Sequence, residues 1–119
     1  MHELSIAQGI MTNLRPWLDE QPDDLRLQKI IVRAGPFRAV VPEALVFAWE
    51  VVRKEHPKTV DSVVEVDTSY IAVTCKKCGE SWNAERAVFT CPKCGGENLE
   101  MGGGNELFIE EIETNEDNA

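Results

Sequence analysis

Four cysteines are the residues in this chain whose type and spacing most clearly indicate chemistry. They form two C-x2-C pairs separated by twelve residues, and a glycine follows the second cysteine of each pair; the thiols belong to Cys75, Cys78, Cys91 and Cys94. Two tight turns of this kind can present four thiolates to one ion, which is typical of a zinc ribbon or knuckle. Because four protein ligands leave no open position, the spacing predicts a structural rather than a catalytic Zn(II) site. Iron in the same four-sulfur cage, for electron transfer, is the chemical alternative.

The N-terminus offers a second possible metal site. His2 follows Met1 directly, so the α-amine, the amide nitrogens of His2 and Glu3 and the His2 imidazole could surround one ion with four nitrogens. Square-planar nitrogen ligation favours Ni(II) or Cu(II). The alternative is a histidine at the second position by chance, on a frayed terminus.

Other polar residues give weaker signals. His56 lies before a proline at the predicted end of a helix and is interpreted as a surface histidine. Gly102 to Gly104 lack the Lys-Ser/Thr of a phosphate-binding loop, so a flexible hinge is the simpler interpretation. Trp17 and Trp49 are expected in the core, whereas Trp82, inside the cysteine loop, could cover the metal cage or a partner surface. The sequence shows no Ser-His-Asp or Cys-His arrangement, and we expect a protein that is not an enzyme.

Composition restricts the partners and the location. The 119 residues carry a net charge of −9, which argues against nucleic-acid binding, and 43% of them are hydrophobic, which is adequate for a packed core. No stretch approaches the roughly 20 apolar residues needed to cross a bilayer, and no signal peptide is recognisable. We therefore expect a cytoplasmic protein without a membrane or nucleic-acid partner.

Apolar periodicity predicts the elements that position these groups. A helix beginning at Leu4 carries Leu4, Ala7, Met11, Leu14 and Leu18 on one face, and a strand near 25–35 places Ile30, Val32 and Ala34 on one face. A second helix begins near Pro42 with Leu45, Ala48, Trp49 and Val52 as its stripe. A β-prone run over 60–75 leads into Cys75, and a short strand with Leu107 and Ile109 on one face follows the three glycines.

The order of elements predicts an α+β (mixed α/β) fold. Two helices would pack on a small three-stranded sheet, with an inserted zinc-ribbon-like module, because the last strand is too short to stand alone and would return to the N-terminal sheet. The corresponding domains are residues 1–73 plus about 105–119, a discontinuous α/β domain that carries the possible N-terminal metal site, and 74–104, the four-cysteine metal-binding domain.

In combination, these features resemble the HypA/HybF family of hydrogenase maturation nickel metallochaperones. The stretches that carry the resemblance are "MHELSIAQGI", "VVPEALVFAWE", the two C-x2-C pairs and "GNELFIEEIE", in that order from residue 1 to about 113. Pro36, Phe37 and Arg38 depart from the more polar turn expected in the family, and "KEHPKTVDS" differs from the family's usual glycine-containing connection.

The resemblance implies a function and a set of partners. Ni(II) would be the transported cargo, bound by Met1, His2 and Glu3, and structural Zn(II) would be held by the four cysteines. The implied partners are a nucleotide-hydrolysing maturation protein (a GTPase or ATPase) of the nickel-insertion pathway and the hydrogenase large-subunit precursor, with urease as a further recipient in some organisms. A monomer or weak homodimer is expected. Competing hypotheses are a zinc-ribbon interaction module in transcription or RNA handling and a rubredoxin-like electron carrier.

Overall fold

Two α-helices and six strands make up the regular structure of residues 2 to 118, the part of the chain that the computed structural model describes. In chain order the elements are α1 (Glu3–Asp19), β1 (Leu27–Ala34), α2 (Pro42–Val52), β2 (Val63–Thr68), β3 (Ile71–Cys75), β4 (Ser81–Ala84), β5 (Leu99–Gly102) and β6 (Leu107–Thr114). Short 3-10 helices occupy Pro36–Arg38, Arg53–Glu55 and Asn115–Asn118.

Helix α1 buries the face that its apolar spacing predicts. The buried residues are Ala7, Ile10, Met11, Leu14 and Leu18. Leu4 was expected on this face but is 57% exposed, because the helix begins only one residue earlier and its packed part begins at Ala7. Trp17, expected in the core, is half-buried. Helix α1 packs against α2, so the two helices share one layer.

Helix α2 begins at the predicted proline, which suits the first helical position because its missing N–H would have no helical acceptor there. Its buried residues are Leu45, Ala48, Trp49 and Val52, as the sequence predicts. The indole Nε1 of Trp49 donates to the hydroxyl of Ser62 at 2.8 Å, which satisfies the polar end of a fully buried aromatic side chain.

A three-stranded sheet with the order β2-β1-β6 accompanies the helices. The predicted buried face of β1 is confirmed, since Ile30, Val32 and Ala34 are all buried. Strand β6 pairs with β1, so the C-terminal segment returns to the N-terminal sheet as predicted. The α+β class with two helices, a small three-stranded sheet and an inserted module is confirmed.

The β-prone run over 60–75 divides into two strands that belong to different sheets. Strand β2 lies in the first sheet, whereas β3 is the central strand of an antiparallel sheet with the order β4-β3-β5. The division falls at Ser69 and Tyr70. Ser69 is buried, its N–H donates to the carbonyl of Ala34 at 3.1 Å, and its hydroxyl bonds the carboxylate of Glu106. These bonds hold Ser69 at the point where the run passes from β2 to β3.

The second sheet has a small apolar core. Ile71, Val73 and Ala84 are buried, and the partly buried Trp82, Val88 and Leu99 pack against them. Val73 lies opposite Trp82 on β4 and opposite Met101 on β5. Trp82, whose role the sequence left open, therefore belongs to the core of this sheet.

The chain divides into two compact units. The first comprises Met1–Val32, Val40–Asp67 and Phe108–Ala119, and the second comprises Arg33–Ala39 and Thr68–Leu107. The predicted boundaries differ at 33–39, 68–73 and 105–107, which group with the cysteine-bearing unit. Backbone hydrogen bonds explain the difference: Gly35 donates to Glu106 at 2.8 Å and Phe37 donates to Gly104 at 2.8 Å. The assignment of one metal to each domain remains a prediction.

The glycines near residue 103 form a packed turn instead of the expected flexible hinge. Gly103 and Gly104 have φ of 74° and 86°, a region that L side chains rarely adopt. A Cβ on Gly104 would lie 2.7 Å from a side-chain carbon of Ile71 and 3.0 Å from the ring of Phe37. Glycine is therefore required at 104 by backbone conformation and by close packing.

His56 is not the surface histidine that the sequence suggested; it is 7% exposed. Its Nδ1 accepts the N–H of Lys58 at 3.1 Å, and its Nε2 lies 3.0 Å from Oδ1 of Asp19 at the end of α1. The buried ammonium of Lys58 donates to the carbonyls of Leu18 at 2.6 Å and Gln21 at 2.9 Å. The segment after α2 thus caps the C-terminus of α1, where a cation also complements the helix dipole.

Lys58→Met is expected to lower the free energy of unfolding by about 2 kcal/mol, because it leaves two carbonyls without their charged donor. Urea unfolding followed by far-UV circular dichroism measures the loss. Lys54→Met, which removes an exposed ammonium near the end of α2, is the matched control and should change stability by less than about 0.5 kcal/mol. Equal stability of the two variants would contradict a capping role for Lys58.

Candidate metal centres

Two glycine-ended turns position the four thiols. In the first turn the N–H of Gly79 donates to the carbonyl of Cys75 at 2.9 Å, and in the second the N–H of Gly95 donates to the carbonyl of Cys91 at 2.8 Å. Both glycines have positive φ, 80° and 75°. This conformation reverses the chain after each cysteine pair, as the spacing indicated.

The structure brings the four sulfur atoms together. All four lie within 4.8 Å of one another, and the Sγ–Sγ distances are 3.7 Å for Cys75–Cys94 and 3.7 Å for Cys78–Cys91. A disulfide requires about 2.05 Å, so these cysteines are separate thiols. A tetrahedral site with Zn–S bonds of about 2.3 Å has sulfur–sulfur edges of about 3.8 Å. The observed separations fit that geometry.

Neighbouring backbone groups act on the thiols. The N–H of Cys78 is the principal cause that lowers the pKa of Cys75 to about 6. The N–H of Glu80 also lowers the pKa of Cys78. Desolvation and the adjacent thiols outweigh this effect and raise the pKa of Cys78 to about 11. The two thiols of the first turn therefore shift in opposite directions, with the pKa of Cys75 lowered and that of Cys78 raised, which is the consequence of crowding several acidic groups.

Further donors and charges surround the second turn. The N–H of Lys93 lies 3.4 Å from the sulfur of Cys91, and the N–H of Gly96 lies 3.3 Å from the sulfur of Cys94. The Lys93 ammonium lies 3.5 Å from a carboxylate oxygen of Glu80, and both side chains are exposed. Such amide and ammonium groups stabilise a cluster that carries net negative charge when four thiolates bind a divalent ion.

The N-terminal candidate residues lie at the start of α1. Met1 lies outside the described residues. His2 is the N-cap residue; its side chain is exposed and makes no capping hydrogen bond, and its carbonyl accepts the N–H of Ile6 at 2.8 Å. That bond is the first of the helix. The amide nitrogens of His2 and Glu3 therefore precede the first helical donor, and their ligation to a metal would break no helical hydrogen bond.

The Glu3 carboxylate has a contact that sequence reasoning missed. Its Oε2 accepts the backbone N–H of Val41 at 3.0 Å, and this bond is the main cause that lowers the pKa of Glu3. The sequence did contain a signal. Helix α2 has an aliphatic residue at its N-cap and Ala44 at its third position, so it lacks a capping box of its own.

Solved structures share this fold. The solution structure described as the Ni metallochaperone HypA from Helicobacter pylori superposes with a TM-score of 0.60 at 22% identity, covering 95% of this chain and 97% of that one. The fold and the four-thiol cluster define the class: a small α+β protein with an inserted four-cysteine module.

Sequence relatives identify the family. The hydrogenase maturation factor HypA of Desulfatibacillum aliphaticivorans is 31% identical over 113 residues, 95% of this chain and 86% of that protein. The guanidine hydrolase-activating protein A of a Synechocystis species is 29% identical over 114 residues, 95% of this chain and 94% of that protein. The family model described as "Hydrogenase/urease nickel incorporation, metallochaperone, hypA" matches residues 1–114. The chain belongs to the HypA family of nickel metallochaperones for hydrogenase maturation.

Among the helices formed by residues 2 to 118, none is both long enough and apolar enough to cross a bilayer.

Proposed function

We propose that this chain binds Ni(II) at its N-terminus and delivers it for maturation of [NiFe] hydrogenase. The ligands are the amine of Met1, the amide and imidazole of His2 and the amide of Glu3. The observation that carries the proposal is the family match, which begins at residue 1 and so includes this terminus. The protein acts as a carrier and catalyses no reaction.

The position of His2 supports nickel binding. The side chain is exposed at the start of a packed helix, and the amides that would ligate lie ahead of the first helical hydrogen bond. Nitrogen donors in a planar arrangement suit Ni(II) better than Zn(II) or Mg(II). Because protons compete for every one of these nitrogens, acidification favours release.

Zn(II) is the proposed occupant of the four-cysteine cluster. Sulfur separations of 3.7 Å fit a tetrahedral ion, and four protein thiolates complete its coordination. The role is structural, since no position remains for water or substrate. Metal analysis of the purified protein distinguishes zinc from iron, which would indicate an electron carrier instead.

The proposed partners follow from delivery of a metal ion. We assign a GTPase or ATPase of the nickel-insertion pathway and the hydrogenase large-subunit precursor as partners, with this chain as a monomer or weak homodimer in the cytoplasm. Nucleic acid is not a proposed partner, since the net charge of −9 opposes binding to phosphates.

A hydrolase is a second candidate recipient. The family description includes urease, and one relative of comparable identity is named for activation of a guanidine hydrolase. Nickel transfer to the metal-free forms of the hydrogenase precursor, urease and guanidine hydrolase, measured side by side, decides between the recipients.

Addition of one glycine before Met1 is expected to weaken Ni(II) binding by at least about tenfold, because it moves the α-amine away from His2 and breaks the chelate ring. Isothermal titration with Ni(II) measures the change. A glycine added after Ala119 is the matched control and should leave the affinity unchanged. If the N-terminal extension binds Ni(II) as tightly as the native chain, the ligand set proposed here is wrong.

A further inference from the structure

Helix α2 lacks the residues that usually cap a helix N-terminus. A capping box has Ser or Thr at the N-cap and Glu or Gln three residues later, whose side chain accepts the N-cap N–H. Here the N-cap residue is Val41, the first helical residue is Pro42, and the third is Ala44. None of these side chains can accept a hydrogen bond.

Glu3 of helix α1 supplies the missing acceptor. Its Oε2 accepts the N–H of Val41 at 3.0 Å, across 38 residues of sequence. The two helices pack against each other within one unit, so the contact belongs to their shared layer. Glu3 also lies in the first turn of its own helix. One carboxylate therefore lies at two helix N-termini, both of which favour negative charge.

We propose that the Glu3 carboxylate is a positioning group, which fixes the nickel-binding terminus to helix α2 through Val41 and is not itself a nickel ligand. This inference rests on the proposed function, in which the Glu3 amide nitrogen is a ligand. A side chain held at Val41 restrains the Glu3 backbone before the ion arrives. Pre-organisation of this kind lowers the entropic cost of ordering a terminus around the metal.

Glu3→Gln and Glu3→Ala separate positioning from ligation, because glutamine retains an acceptor oxygen and alanine retains none. In metal-free protein, hydrogen exchange at the Val41 amide is expected to accelerate about tenfold in Glu3→Ala and less than about twofold in Glu3→Gln. Ni(II) affinity is expected to fall about tenfold or more in Glu3→Ala, as for other groups that orient metal ligands, and less than about threefold in Glu3→Gln. The visible absorption bands of planar nickel should be the same in Glu3→Gln and the native chain.

Glu43→Ala is the matched control, since Glu43 is an exposed carboxylate in the first turn of the same helix. Its removal should change Val41 exchange and Ni(II) affinity by less than about threefold. If Glu43→Ala is as damaging as Glu3→Ala, the effect is one of general charge and the inference fails. It also fails if Glu3→Gln loses as much affinity as Glu3→Ala or shifts the nickel bands, since the carboxylate would then be a ligand.

The inference and the proposed function fail in different measurements. Ni(II) binding that survives His2→Ala would overturn the proposed function. Val41 exchange that is unchanged in metal-free Glu3→Ala would overturn the positioning contact whatever the nickel titrations show.

Discussion

His2→Ala is expected to weaken Ni(II) binding by more than about 100-fold, a larger loss than the 10- to 100-fold typical of groups that only orient a ligand. The substitution removes the imidazole, the one side-chain donor of the proposed planar set. Isothermal titration gives the affinity, and loss of the planar nickel absorption bands reports the coordination. The fold should persist, because the His2 side chain is exposed and makes no capping hydrogen bond.

Leu4→Ala is the control for this substitution. Leu4 lies in the same first turn and is 57% exposed, so its truncation alters the terminus without removing a donor. Its Ni(II) affinity should match that of the native chain, and both variants should retain native helix content by circular dichroism. Equal nickel binding by His2→Ala and Leu4→Ala would contradict an N-terminal nickel site.

Local periodicity was sufficient to predict most of the first unit. The stripes of α1 and α2 and the buried face of β1 follow from apolar residues at helical and strand spacings, and the structure confirms them. The four sulfurs also meet as the spacing of the cysteines indicates, because two short glycine-ended turns leave few alternative arrangements. In each case the information lies within a few residues of sequence.

The errors involve contacts between residues far apart in sequence. The β-prone run divides at Ser69, which bonds Ala34 and Glu106, and nothing in the run encodes those partners. His56 is buried because the chain after α2 folds onto the end of α1, 37 residues away. Composition around a histidine cannot reveal such a neighbour.

The glycines near 103 illustrate a different limit. A run of glycines is consistent with flexibility and also with a packed backbone in a conformation closed to other residues. Only the close approach of Ile71 and Phe37 to Gly104 decides between these possibilities. The same applies to Glu3, which the family resemblance implied as a nickel ligand and whose carboxylate contacts the N–H of Val41.

Cys91→Ser is expected to abolish zinc retention and unfold the sheet β4-β3-β5. Three residues, Ile71, Val73 and Ala84, form the buried core of this sheet, which is too few to stabilise three short strands alone. A structural zinc site contributes roughly 10–16 kcal/mol in small zinc domains, so an ion in the proposed zinc site would dominate the stability of this unit. Hydrogen exchange of the β3 and β4 amides, together with zinc analysis, measures the loss.

Lys76→Ser is the control, because it changes an exposed residue inside the first cysteine turn and keeps all four thiols. It should retain zinc and the protection of β3. Helices α1 and α2 should remain protected in both variants, since Leu45, Trp49 and the other apolar residues of their faces are buried independently of the cysteines. A protected β3 in zinc-free Cys91→Ser would show that the strands, and not the ion, hold this unit together.

Protons compete with the metal because the pKa of Cys78 is raised to about 11, so that thiol is protonated at neutral pH without zinc and must lose its proton to bind. Zinc affinity should therefore rise with pH through the neutral range.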